Sequence, residues 1–127
     1  MGAEEDRLSK VIIGAAIEVH RQLGPGLLES TYERCLAHEL SVVGLDYARQ
    51  VALPVVYKGL QLECGYRLDL VVEGRVILEL KTVSCFEAIH EAQILTYLKL
   101  SDLKLGLLFN FNVPVMRKGI KRVVNNL

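Results

Sequence analysis

Asp69, Glu79 and Lys81 are the residues of this chain whose types and spacing could do chemistry. All three interrupt the apolar stretch from Gly65 to Thr82, GYRLDLVVEGRVILELKT. That stretch reads as two strands, Tyr66–Val72 and Arg75–Thr82, reversed at Glu73-Gly74. Strand side chains alternate with period two, so Glu79 and Lys81 point the same way. Charge in a buried strand is costly unless it is paired or neutralised. Two arrangements meet that demand. In one, Lys81 pairs with Asp69 or Glu79 as a structural ion pair at a sheet edge. In the other, the two carboxylates hold a hard divalent cation and Lys81 stays beside it as a fixed positive charge, since Mg²⁺ often takes only one or two carboxylates plus substrate phosphate.

The turn decides whether the acids can meet at all. A two-residue loop at Glu73-Gly74 would pair Val72 with Arg75 and send Asp69 and Glu79 to opposite faces. A three-residue loop, Glu73-Gly74-Arg75, pairs Val72 with Val76 and sets Asp69 opposite Glu79; a bulge would have the same effect. The expectation is an odd loop or a bulge, with Asp69, Glu79 and Lys81 on one face and Gln93 approaching from a helix.

Glu4 to Leu23 has helical periodicity, with Leu8, Val11, Ile12, Ala15, Val19 and Leu23 on one stripe, and Gly24-Pro25-Gly26 ends it. A second helix spans Leu28 to Val43, stopped by Gly44. Glu29 lies in its first turn, favoured there by the helix dipole, and Tyr32 shares its face. On spacing alone, Glu29 caps that helix and Tyr32 packs in the core. Arg49 to Tyr57 reads as a strand, placed at an edge or bulged by Pro54. Lys58-Gly59 turns the chain, and Leu60–Cys64 leads into the hairpin. Phe86 to Leu100 is helical in spacing, and its stripe of Phe86, Ile89, His90, Gln93, Tyr97 and Leu100 is oddly polar for a core helix. Leu103 to Phe111 suits a strand buried on both faces, parallel to the one before the helix. The basic segment Met116 to Arg122 reads as solvated surface.

The 127 residues fit one domain, 51% hydrophobic, with formal net charge +0. Neutrality removes any general pull toward nucleic acid, so phosphate binding would need a local patch. Cys35, Cys64 and Cys85 have no CxxC spacing and read as reduced core thiols. The acidic start lacks a signal peptide's basic head, Asp6 breaks the myristoylation pattern, and no apolar run is long enough to span a bilayer. The expectation is a soluble, cytoplasmic protein with no membrane partner.

With Asp69, Glu79-Leu80-Lys81 and Gln93…Tyr97 in view, the chain resembles the PD-(D/E)XK nuclease superfamily. The likeness is closest to the small bacterial GxxExxY proteins, whose motif stands here as Gly26-Leu27-Leu28-Glu29-Ser30-Thr31-Tyr32. Gln93-Ile94-Leu95-Thr96-Tyr97 looks like the QxxxY motif of the RecB-type branch. Leu68 stands before Asp69 where the superfamily's name has proline.

The resemblance implies an α/β fold with a restriction-endonuclease-like core, a mixed central sheet flanked by helices in the order α-α-β-β-β-α-β, over residues 1–127 as one domain. It implies Mg²⁺ or Mn²⁺ as cofactor. Asp69 and Glu79 would be metal ligands, joined by Glu29 and His20; Lys81 would be the catalytic lysine, and Gln93 would hold the lysine, a water or a phosphate. Tyr97 and Tyr32 would contact nucleic acid, with DNA expected ahead of RNA. Three carboxylates gathered about 4 Å apart would repel by roughly 4 kcal/mol per pair at an effective dielectric near 20, which a divalent cation would relieve. The activity so implied is metal-dependent hydrolysis of DNA phosphodiesters. The alternative is a catalytically silent module of the same fold that binds nucleic acid or a protein partner. Homodimerisation is left open.

Overall fold

Leu8, Ile12, Ala15, Ala16 and Val19 form the stripe that α1 (Ala3–Leu23) buries against α2 (Glu29–Val42) and the sheet beneath them. The computed structural model describes residues 2–63 and 65–126. Gly24 ends α1 with a φ of 71°, and its N–H bonds the His20 carbonyl. The turn that follows is pinned from α2, where the Tyr32 hydroxyl donates to the Gly24 carbonyl at 2.6 Å and accepts the Leu27 N–H at 3.1 Å.

Five strands form the main sheet in the order β1-β4-β5-β6-β7. They are β1 (Tyr47–Ala52), β4 (Arg67–Val72), β5 (Val76–Lys81), β6 (Leu105–Asn110) and β7 (Ile120–Val124). Only β5 and β6 run parallel, and α3 (Ala88–Ser101) joins them. β6 is buried along its whole length, as its unbroken apolar run requires. One face of the sheet, with Leu70, Val72, Leu78, Leu80 and Phe109, packs on α1 and α2. The other, with Leu68, Ile77 and Leu108, packs on Ile94, Tyr97 and Leu98 of α3. The restriction-endonuclease-like α/β architecture expected from the sequence is the one observed.

Two expectations are corrected. The single strand over 49–57 is two: the chain leaves β1 at Leu53-Pro54, and β2 (Val55–Tyr57) pairs with β3 (Leu60–Leu62) as a separate hairpin. Lys58 and Gly59 have φ of 49° and 84°, the mirror-image turn that matches strand twist in a two-residue loop. The cations of the basic segment are exposed, as expected, and the segment is also an element of the fold. A 3-10 turn over Met116–Gly119 leads into β7, which closes the sheet beside β6 with Val123 buried and Lys121 and Arg122 exposed on opposite faces. Those two cations pair with Glu91 and Asp6. Cys35 is half-buried but Cys85 is exposed, so the expectation of core thiols fails at Cys85; Cys64 lies outside the described residues. Among the described residues no helix is long and apolar enough to cross a membrane.

Candidate active site

β4 and β5 pair as Val72↔Val76, Val71↔Ile77 and Leu70↔Leu78, leaving Glu73-Gly74-Arg75 as a three-residue loop. Glu73 and Gly74 both have positive φ. The Glu73 carboxylate accepts the Asp46 N–H at 2.6 Å, and Arg75 reaches Glu5 of α1 at 3.3 Å, so the loop is held from both sides. This parity carries Asp69 opposite Glu79. At that point the ladder stops, and side chains replace backbone. Glu79 Oε2 accepts the Asp69 N–H at 2.8 Å, and Asp69 Oδ2 accepts the Leu80 N–H at 2.8 Å. Each acid therefore occupies the place of a backbone carbonyl and holds the opposite strand's amide. Ile77 packs on α3, so alternation puts Glu79 and Lys81 on the α3 face.

The neighbouring ladder is broken at the same level. β1 pairs with β4 at Arg49↔Leu70 and Val51↔Leu68, but not at Gln50 and Asp69. Gln50 has a φ of 52°, a left-handed conformation in mid-strand. Glu33 of α2 holds that kink: it is 5% exposed, accepts from Gln50 Nε2 at 2.8 Å and pairs with Arg49 at 2.9 Å. One turn earlier on α2, Glu29 Oε2 accepts the Thr82 N–H at 3.2 Å, just past Lys81. α2 thus fastens one strand on each side of the acid pair. Sequence reasoning found Glu29 and missed Glu33; the i, i+4 spacing of the two acids was the available signal.

Burial, and then the neighbouring Asp69 charge, push the Glu79 carboxyl up to about 8. Asp69 is also raised, by burial first, against the Leu80 N–H that favours its charged form. Lys81 lowers both, but among the described residues it forms no ion pair, so the structural ion pair open on sequence grounds is not what holds these acids. Tyr97 is raised, by burial and then by the Glu79 charge.

The remaining residues singled out from the sequence divide. Gln93 and Tyr97 line one groove beside the hairpin β2–β3, along the oddly polar stripe of α3; the side of α3 that packs into the core carries Ile94 and Leu98. His90 caps that helix, its Nδ1 accepting the Glu87 N–H at 3.0 Å. Tyr32 is fully buried and stacked on Phe111 at 4.5 Å, so the nucleic-acid contact expected of it is corrected: no base can reach its ring. His20 is 7% exposed, with Nε2 2.7 Å from the Val113 carbonyl, which commits that nitrogen away from a ligand role. Asn110, opposite Lys81 on β6, is a residue the sequence did not single out. Its side chain accepts from the Val83 and Asn112 amides and donates to the Val83 carbonyl, clamping the segment that leaves Lys81.

Among the described residues no three His, Cys, Asp or Glu side chains converge closely enough to hold an ion, so the four-ligand set of Glu29, Asp69, Glu79 and His20 is not assembled. The Asp69–Glu79 pair still suits a hard cation. Backbone amides use Oδ2 and Oε2, leaving Oδ1 and Oε1, and the raised carboxyls mark a place short of positive charge. Two carboxylate oxygens, completed by water and phosphate, are a donor set that Mg²⁺ accepts.

No curated protein and no solved structure matches the chain. A family model described as the PD-(D/E)XK nuclease superfamily matches residues 6–123. That span takes in both acids, Lys81 and every strand of the main sheet except the last residue of β7, and the chain belongs to the PD-(D/E)XK nuclease superfamily.

Proposed function

We propose that the protein is a metal-dependent nuclease of the GxxExxY type, in the RecB-like branch, acting on DNA phosphodiesters as one domain. The observation that carries this reading is the Asp69–Glu79 pair, set at a break in the sheet with Lys81 two residues on. Asp69 and Glu79 would hold a divalent cation, which supplies Lewis-acid polarisation of the phosphate and a nucleophile at neutral pH. The chain's own part is positional and electrostatic. Glu29 and Asn110 fix the segments that start at Thr82 and Val83, and so aim Lys81 from a rigid strand end. The Lys81 ammonium would offset charge growing on the phosphoryl oxygens as water attacks phosphorus and one ester P–O bond breaks, the proton passing to the leaving oxygen. Gln93 and Tyr97, which line the groove on its α3 side, would orient the strand.

The test is cleavage of single- and double-stranded DNA with Mg²⁺ or Mn²⁺. Lys81→Ala should lower the rate by about 10²-fold or more, the loss typical of one transition-state charge contact. Cleavage that persists in Lys81→Ala would refute the assignment. A second reading, a silent module of the same fold, is favoured by the missing third ligand and the neutral charge. Calorimetric titration with Mn²⁺ separates them: heat of binding that vanishes in Asp69→Asn supports the nuclease, and no binding at millimolar Mn²⁺ supports the module.

A further inference from the structure

The hairpin β2–β3 stands apart from the main sheet and leans toward α3, enclosing a groove of about 540 Å³. Tyr57 and Tyr66 stand on its hairpin side, 60% and 47% exposed, and Ile89 on its α3 side is 66% exposed. Gln93 and Thr96 bring polar groups into these apolar surroundings, and the Tyr97 ring lies 6.4 Å from that of Tyr66. Apolar walls with a few placed polar groups are the usual make-up of a ligand site. Tyr66 lies three residues before Asp69, about 10 Å along an extended chain.

Resting on the nuclease reading above, we propose that this groove takes unpaired bases of the substrate strand, stacked on Tyr57 and Tyr66, so that single-stranded DNA is the preferred substrate class. The chain carries 15 basic and 15 acidic residues, so release of counterions from a duplex backbone offers it little. Affinity must come from something other than charge, and exposed aromatic faces provide it, because every base has a stacking face once it leaves the duplex. Lys58 Nζ lies over the Tyr57 ring, 5.4 Å from its centroid, so a base stacking on that face would displace the ammonium toward an adjoining phosphate. A bound protein segment would also cover aliphatic walls, but Tyr66, whose ring lies 6.4 Å from that of Tyr97 in the groove, is only three residues along the chain from Asp69.

The experiment is fluorescence anisotropy with a labelled single-stranded oligonucleotide and the same sequence as duplex, in Ca²⁺ or without metal, on the full chain. Wild type should bind the single strand more tightly. Tyr57→Ala with Tyr66→Ala should weaken that binding by about tenfold or more, with circular dichroism unchanged since both rings are surface-exposed. Equal or tighter duplex binding, or single-strand binding unaffected by the double substitution, would overturn the proposal and leave the nuclease reading standing if cleavage still depends on Lys81. A dimer in sedimentation that dissociates with the double substitution would also overturn it, by making the groove a contact between copies. If wild type neither binds nor cleaves any DNA, both readings fall together.

Discussion

Glu79 carries the largest electrostatic strain at the level of single residues, and that strain has a sign. In the unfolded chain its carboxyl ionises near 4.5, while in the fold burial and Asp69 raise it to about 8. Below pH 4.5 it is protonated in both states and contributes no difference. Between 4.5 and 8 the folded form holds a proton that the unfolded form has released, so stability falls as pH rises through this window, by roughly 3–5 kcal/mol. Above 8 the full loss remains. Urea midpoints measured from pH 5 to 9 should drop for the wild type and stay nearly level for Glu79→Gln, whose amide oxygen can still accept the Asp69 N–H. Parallel curves would exclude Glu79 as the titrating group. Mn²⁺ should oppose the loss: at pH 8 it should raise the wild-type midpoint in proportion to the logarithm of its concentration, and leave Asp69→Asn unmoved.

Two glycines hold elements closer than a Cβ fits without a shift in its neighbours. A Cβ at Gly119 would lie 2.1 Å from the Asn110 backbone oxygen, so the turn before β7 presses on the residue that clamps the segment after Lys81. Gly119→Ala should cost about 1–3 kcal/mol and also lower cleavage, because the Asn110 clamp must move. At Gly106 a Cβ would meet Ile94 Cδ1 at 2.7 Å, where α3 lies closest to β6. Gly106→Ala should cost a similar amount, with the loss read in thermal unfolding, and affect cleavage less because Ile94 can give way. How far elements were legible follows the same division between local and distant causes. The helices and the hairpin β4–β5 showed because their apolar periods and turn residues are local, and the parity argument from Glu73-Gly74-Arg75 needed only counting. β7 did not show, since a short edge strand with two exposed cations looks like surface until β6 is beside it. The kink at Gln50 and the burial of Glu33 were invisible for a related reason: each exists only because α2 crosses β1.

For the whole molecule, charge neutrality sets the expected salt response. A protein that grips bases through Tyr57 and Tyr66 and meets only two or three phosphates should show a slope of log K against log salt no steeper than about −2 for single strands. Anisotropy titrations from low to moderate salt read this directly, and a slope near −5 would mean a basic surface elsewhere carries the binding. The candidate site was legible as residue types and order, not as a constellation. Asp69, Glu79 and Lys81 lie within one hairpin and could be placed together from it. Tyr32 and His20 could not be excluded without the packing of Phe111 and the position of Val113.

The mutual grip of Asp69 and Glu79 on opposite strands also has a consequence for drift. A population of variants screened only for resistance to unfolding at neutral pH should accumulate the amides at 69 and 79, which keep both hydrogen bonds and shed the buried charge, while retaining glycine at 106 and 119. Selection for cleavage should hold the acids against that tendency. Sequencing the two populations would thus separate positions kept for shape from positions kept for chemistry, with no substrate identified in advance.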